Sequence, residues 1–428
     1  MEGIIEKIIN KSKYDTEVFV QKNSKIKAFF DTKLRKITAG DITTLTIRVT
    51  INNASGSATT TNLGDWETCL RNAIKSARVS VPLKTSFSLP STQSYRGVRT
   101  SSSRLDLMTE EDMIEVGLSI LNKTEGTIVQ QLVMNKEINR NISANTNGIF
   151  IDSKDSLISS EISVTKKGAT ASEYCVSRRY PNFDFFVNNA VNLCKTSINP
   201  VKIPTKKMNV ILNYPAIQDL LESVFSPSIW LNNVLEGKSL LKDKLNKKIF
   251  SANFSLTDSG IVDYGVGSSK FDVEGVRTQS TKIIEKGVLK NFISDWYSAT
   301  KFAQIKRKEF VSSTGNSATL LKRPSVYHTN LIVEPGDYSY SELLDGTSLL
   351  INFLIGAHTV NPTSGDFSLN CENVYLVNNG ILTPVKQVMI SGNVYELFNK
   401  IIAIGKKPRS DGQVISPPIK FKNVQVIA

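Results

Sequence analysis

The stretch from Leu349 to Val385 limits the folds open to this chain more than any other. Two β-type runs, Leu349-Leu350-Ile351-Asn352-Phe353-Leu354-Ile355 and Asn373-Val374-Tyr375-Leu376-Val377, flank the segment Asn361-Pro362-Thr363-Ser364-Gly365-Asp366-Phe367-Ser368. A loop so rich in Pro, Gly, Asn, Asp and hydroxyl residues has its backbone set by turn chemistry rather than by packing. The second run leads to Asn379-Gly380 and a third run, Ile381-Leu382-Thr383-Pro384-Val385. Asn-Gly between two such runs is the strongest short-range hairpin signal a sequence carries.

The N-terminal half has a different pattern. Ile4, Ile5, Ile8 and Ile9 mark an amphipathic helix with acids at its start and no basic leader, so the chain is expected to be cytoplasmic. Residues 15–61 read as a meander with strands 16–21, 25–30 and 44–51, joined at Lys22-Asn23-Ser24, Ala39-Gly40-Asp41 and Asn52 to Gly56. Trp66, Cys69, Leu70, Ala73, Ile74 and Ala77 then recur at helical spacing, with Asp65 as the expected cap. A Ser-, Thr-, Pro- and Arg-rich connection over 80–104 leads to a helix opened by Thr109 and Asp112. Strands over 127–134 and 138–165 turn at Asn147-Gly148, and a further helix covers 182–196. Asn199-Pro200 and Ile203-Pro204 read as a linker.

At 428 residues the chain is too long for one ordinary core. The expected division is 1–202, an α+β domain built on an antiparallel sheet with packed helices, and 203–428, a mostly-β domain of barrel or sandwich type. The second half opens with strand 208–212 and a helix carrying Ile217, Leu220, Leu221 and Val224. It ends with a helix over 393–404 and a strand near 419–427. The longest apolar run, near 348–357, is well short of the roughly 20 residues a membrane span needs. The net charge of +13 is spread along the chain, and the densest cluster, Lys301 to Lys308, has no interleaved aromatics, so neither nucleic acid nor a membrane is an expected partner. Cys69, Cys175, Cys194 and Cys371 have no paired spacing and read as buried thiols.

Several motifs carry a family resemblance over nearly the whole chain. Gly356 followed by Ser364-Gly365-Asp366-Phe367-Ser368, then a strand and Asn379-Gly380, resembles the C-terminal signature of the TldD/PmbA family. Ala144 to Gly148, Asp272-Val273-Glu274-Gly275, the hairpin at Lys286-Gly287 and Ser313-Thr314-Gly315-Asn316 resemble further family blocks. The resemblance implies a two-domain fold that works in dimers. In that family the catalytic TldD type is a zinc peptidase with a His-Glu-x-x-x-His motif on the first helical segment of its second domain. The TldE or PmbA type lacks the motif.

The chain has two histidines, His328 and His358, and neither lies in the matching stretch from Ile217 to Asp243. A zinc peptidase needs two imidazoles on one helix face, a third ligand and a carboxylate beside the metal-bound water. The step at Asp411-Gly412-Gln413 also lacks the Cys that the catalytic type carries there. The resemblance therefore implies a TldE-like subunit with no catalytic residue and no metal ligand of its own, and zinc in a TldD-like partner. A trio of His358, Cys371 and Asp366 has no recognised ligand spacing. His358 reads as a loop imidazole bonded to backbone, and His328 as the polar-face residue of a strand. Candidate residues for a peptide-binding chamber are His358, Asn361, Ser364, Gly365 and Asp366 in the signature loop, with Asp272 and Glu274 as an acid pair on one face of a strand. The expected partners are the zinc subunit and an unfolded peptide. An autonomous homodimeric peptidase and a homodimeric scaffold are the alternatives.

Overall fold

The computed structural model describes residues 1–82, 88–306, 312–321, 325–410 and 412–428. Part of the basic cluster (residues 307 and 308) and Asp411 lie outside them. Helix α1 (Glu2–Lys11) leads into two long strands, β1 (Asp15–Phe30) and β2 (Leu34–Ile51), then β3 (Ala54–Thr60) and α2 (Trp66–Arg78). Short α3 (Ser103–Asp106) and α4 (Glu110–Asn122) precede β4 (Ile128–Asn145), β5 (Phe150–Lys166), β6 (Ala169–Ser177) and α5 (Phe183–Thr196). The strands form one antiparallel sheet in the order β3-β2-β1-β4-β5-β6.

Side-chain alternation makes the two faces of this sheet chemically different. On one face, Val18, Val20, Leu45 and Ile47 take α1 and α2, while Phe30, Leu132 and Ile158 take α4 and α5. Thr109 and Asp112 close a capping box at the start of α4. The other face carries Glu17, Gln21, Asn23, Arg48, Asn139 and Asn141 and looks toward the C-terminal half.

That half starts with β7 (Lys206–Leu212), α6 (Tyr214–Asp219), α7 (Leu231–Leu235), β8 (Leu256–Ser259), β9 (Ser280–Glu285), β10 (Val288–Leu289) and α8 (Trp296–Ile305). It continues with β11 (Leu331–Val333), α9 (Tyr340–Leu343), β12 (Thr347–Ile355), β13 (Asp366–Asn378), β14 (Ile381–Val385) and β15 (Val388–Asn393). It ends with α10 (Val394–Leu397), β16 (Ile401–Ile404), β17 (Arg409–Ser410), β18 (Val414–Ser416) and β19 (Ile419–Ile427). Pairing runs from β12 to β7, β19, β15 and β13 and back to β12, so these strands close into a barrel. Closure leaves them no free edge. A second sheet has the order β10-β9-β8-β11-β18-β17. The architecture is α+β with a β-rich C-terminal half.

Both expected tight hairpins form. Asn379 and Gly380 have φ of 46° and 83°, and Lys286 and Gly287 have 46° and 78°, the positive pair a two-residue turn of this hand requires. Elsewhere the structure differs from expectation. Residues 22–24 and 39–41 are not turns; they lie inside β1 and β2, where 22–24 pair with 41–43 and 39–41 with 24–26, and the chain reverses at 31–33 instead. Their polar side chains find partners across the sheet, as when Asn23 Nδ2 donates to Asn139 Oδ1 at 2.7 Å. Asp65 stands at the α2 N-cap without a side-chain bond. The last helical stretch ends at Lys400, because Ile401–Ile404 pairs with β19 as a strand.

Three arginines tie the halves together. Arg48 donates from Nε and Nη2 to both oxygens of Glu17, at 2.6 and 2.7 Å, and from Nη2 to Glu274 Oε1 at 2.7 Å, with all three side chains buried. Burial alone would lower the Arg48 pKa, but the two carboxylates outweigh it and raise it. Arg178 donates to the carbonyls of Thr100, Gly265, Val266 and Ser268. Arg409 donates to Glu173 at 2.7 Å and lies over the Tyr214 ring. Replacing Arg48 by Ala leaves two buried carboxylates unpaired and should cost about 3–5 kcal/mol in denaturant unfolding. Arg140→Ala, at an exposed pair with Asp152, should cost under about 1 kcal/mol. Equal losses would show that the Arg48 cluster carries no special weight.

Candidate functional site

The polar face of the N-terminal sheet does not seal against the C-terminal half. Between them lies a cleft of about 450 Å³. Phe19, Gln21, Asn141, Asp155 and Arg178 line one side; loops around Ser268, Asp272, Asn316, His328 and Gln413 line the other. On the sheet side, Asp155 accepts from Asn139 and Asn141 at 3.0 and 3.1 Å, and Asn141 accepts from Gln21 at 3.0 Å. On the loop side, Asp258 is buried just behind the wall, where it accepts from Asn316 Nδ2 at 2.8 Å and from the Thr329 amide at 2.7 Å. Burial pushes the pKa values of Asp258 and Asp272 up, the latter helped by Glu274.

His328 sits at the edge of this cleft and corrects the expectation of a strand position. Its side chain is fully buried, stacked on Tyr327 at 4.2 Å, with Nε2 3.8 Å from Glu222 Oε1. Neither ring nitrogen has a hydrogen-bond partner among the described residues. Glu222 lies on a π-type turn, Leu220–Phe225, that continues α6; such turns gather at functional sites. One turn earlier, burial and, to a lesser degree, the Glu222 charge raise the Asp219 pKa from 3.8 to about 7 against a bond from the Leu354 amide. Glu222, Asp258, Asn316, His328 and Gln413 come from separate segments, so no spacing in the sequence marks them. The one legible hint was the scarcity of histidine.

The residues singled out from sequence fall in two places. His358, Asn361 and Asp366 are exposed on the loop between β12 and β13, Ser364 is half-buried and Gly365 is buried. His358 stands on a single 3-10 turn, Ala357–Thr359, without the expected backbone bond among the described residues. The loop is held by Asn393, which donates to Ser364 O at 2.9 Å and to Asp366 Oδ1 at 2.8 Å. Gly365 has φ of 73°, and a Cβ there would lie 2.7 Å from the Tyr395 ring. None of these residues lines the cleft. Asp272 does line it, on a tight turn rather than a strand, and accepts from the amides of Glu274, Val276 and Ser317. Glu274 points away, to Arg48.

Among the described residues no three His, Cys, Asp or Glu side chains gather as ligands. Cys371 is buried on β13, its thiol pushed up to about 12 by burial, while Asp366 is exposed. A groove of about 500 Å³ between α4 and α5 is less informative, since Lys123 there pairs with Asp184 and Arg104 lies over Tyr180.

Comparison with known proteins gives consistent matches. Residues 205–428 match the family model described as "PmbA/TldA metallopeptidase C-terminal domain". An uncharacterized protein of Methanocaldococcus jannaschii is 33% identical over 323 residues, 74% of each chain. The metalloprotease PmbA homolog of Haemophilus influenzae is 24% identical over 387 residues, 84% of this chain and 80% of that one. Other metalloprotease relatives are matched over about half their length. The crystal structure of TldE from Thermococcus kodakarensis superposes with a TM-score of 0.89 over 100% of both chains at 20% identity, a likeness of fold.

The Asp219 shift has a definite sign. From about pH 4 to about pH 7 the folded chain holds a proton at Asp219 that the unfolded chain has released, so the Asp219 contribution to stability is fullest below about pH 4 and is lost as pH rises through about 7. Asp219→Asn should flatten that fall. Urea unfolding at about pH 5 and about pH 8 should show a smaller loss for the variant than for the parent; equal losses would remove Asp219 as the source.

Proposed function

Because the chain belongs to the PmbA/TldD metallopeptidase family, we propose that it is the TldE-type subunit of a cytoplasmic peptidase and supplies walls rather than ligands. A TldD-type partner carries the His-Glu-x-x-x-His motif and the zinc. The observation that carries this reading is the makeup of the segment after β7. Over Ile217 to Asp243, the stretch that corresponds to the histidine motif of the catalytic type, this chain has no histidine, and α6 with its π-type extension carries Gln218, Asp219, Glu222 and Ser223 instead. On this reading no step is assigned to this chain's own residues.

The substrate of the assembly is an extended or unfolded peptide. Two features support that. β3 pairs only with Leu45 to Ile51 of β2, so the outer edge of β2 from Leu34 to Thr44 has no neighbouring strand among the described residues. An extended peptide can add to such an edge through main-chain hydrogen bonds, independently of its sequence. The cleft between the halves supplies a polar wall, and the loop of His358, Asn361, Ser364, Gly365 and Asp366 supplies a second wall beside α10.

Coexpression with a relative that carries His-Glu-x-x-x-His should yield a heterodimer on sizing. Zinc should follow the partner, and peptide cleavage should need both chains. Stoichiometric zinc in the isolated chain, or cleavage by it alone, would replace this reading with that of an autonomous peptidase.

A further inference from the structure

We propose that the cleft between the two halves holds a primary ammonium group of the bound peptide, either its free amino end or a lysine side chain. The proposal rests on the reading of the chain as a peptide-binding subunit and narrows it to a chemical class.

The argument is one of hydrogen-bond polarity. Asp155 can only accept, so Asn139 and Asn141 must present their NH₂ groups to it, at 3.0 and 3.1 Å. Asn141 then turns its carbonyl oxygen to Gln21, whose NH₂ donates at 3.0 Å. The ladder therefore ends on Gln21 Oε1, an acceptor facing the cleft. The opposite wall follows the same logic. Asn316 spends its NH₂ on Asp258 and on the Tyr327 carbonyl, which leaves its buried Oδ1 without a donor. Gln413 spends its NH₂ on the carbonyls of His328 and Thr329, at 3.4 and 3.2 Å, and keeps Oε1 free.

The amide groups of fixed polarity left over on both walls are thus acceptors. Among the described residues that line the cleft, the one guanidinium, Arg178, is occupied by carbonyls and by Asp155 at 3.1 Å. The buried orphans on the lining, Asn316 Oδ1, Ser317 Oγ and the His328 nitrogens, mark a place where the described protein groups alone leave hydrogen bonding incomplete. Asp155 on the wall adds carboxylate oxygens that already accept from Asn139, Asn141 and Arg178. An ammonium brings three donors to the acceptors left over; a peptide carboxylate brings only further acceptors.

The test uses the full-length chain, in whichever assembly it purifies, and peptides labelled at the C-terminus and read by fluorescence anisotropy. The peptides share one sequence and differ in ammonium groups: free amino end without lysine, acetylated without lysine, acetylated with one lysine, and free with one lysine. The acetylated lysine-free peptide should bind about tenfold more weakly than its lysine-free parent or its lysine-bearing counterpart, the size of one charge-assisted hydrogen bond. Whichever single-ammonium peptide recovers affinity identifies the source. Asp155→Asn frees the ladder to reverse and removes its charge, and Gln21→Leu removes its terminal acceptor. Both should abolish the preference while melting temperatures stay near the parent's. Equal binding of all four peptides, or an unchanged preference in a folded Asp155→Asn variant, overturns the proposal and leaves the peptide reading standing. Binding of none overturns both.

Discussion

The docking of Arg48 between Glu17 and Glu274 is the interaction on which the relation of the two halves depends. A sheet with one apolar face can bury that face under its own helices. The opposite face, with Glu17, Arg48 and a row of amides, cannot be covered by apolar groups without leaving charges and NH₂ groups unmet. It needs a polar counter-surface with partners at fixed positions, and Glu274 on the turn after Asp272 provides one. The arrangement adds little net stability, since desolvating these ions costs nearly what their attraction returns. Its effect is specificity: one relative placement satisfies the buried charges, and others leave them bare. Arg178 and Arg409 repeat the device at two further points, the first by cradling backbone carbonyls and the second by a carboxylate.

The same region stores acidity. Glu17, Asp272, Glu274 and Asp295 lie close together around one guanidinium, and burial raises the Asp272 and Asp295 pKa values, with the Glu274 charge adding to both. Burial and the Glu274 charge thus both favour the protonated form of the Asp272 and Asp295 carboxyls. Such a surface can stay closed only where it is fully paired. Farther along the same sheet face, at Gln21, Asn141 and Asp155, the pairing runs out, and there the halves stand apart as the cleft. The cleft and the seam are thus two outcomes of one polar face, separated by whether the C-terminal loops supply partners.

Much of this fold was legible in the sequence because its signals are local. Asn379-Gly380, Lys286-Gly287, the Thr109–Asp112 capping box and the helical spacing from Trp66 to Ala77 each act within a few residues. Errors arose where tertiary pairing overrides local chemistry. Lys22-Asn23-Ser24 looks like a turn, yet Asn139 on the neighbouring strand gives Asn23 a partner and keeps the strand straight. Ile401 and Ile402 continue a helical pattern, but β19 offers a ladder and the chain takes it. The site was less legible still. The hairpin loop that organises the sequence lies outside the cleft. His328, read as the polar-face residue of a strand, is buried by contacts with Tyr327 and Glu222 that no spacing reveals.

These observations account for a fold held over a whole chain at 20% identity. Barrel closure, hairpin turns and arginine seams depend on backbone geometry and a few buried charges. A zinc site depends on side chains that can be lost one at a time without disturbing the barrel. The positions facing the cleft must satisfy their buried polar atoms whatever the wall is used for. Gln218 packed against Gly412, with Gln413 bonded to the His328 and Thr329 carbonyls, shows the same region held by amides. Amides accept and donate with fixed direction and cannot activate water. Such amides can hold a bound chain through hydrogen bonds of fixed direction.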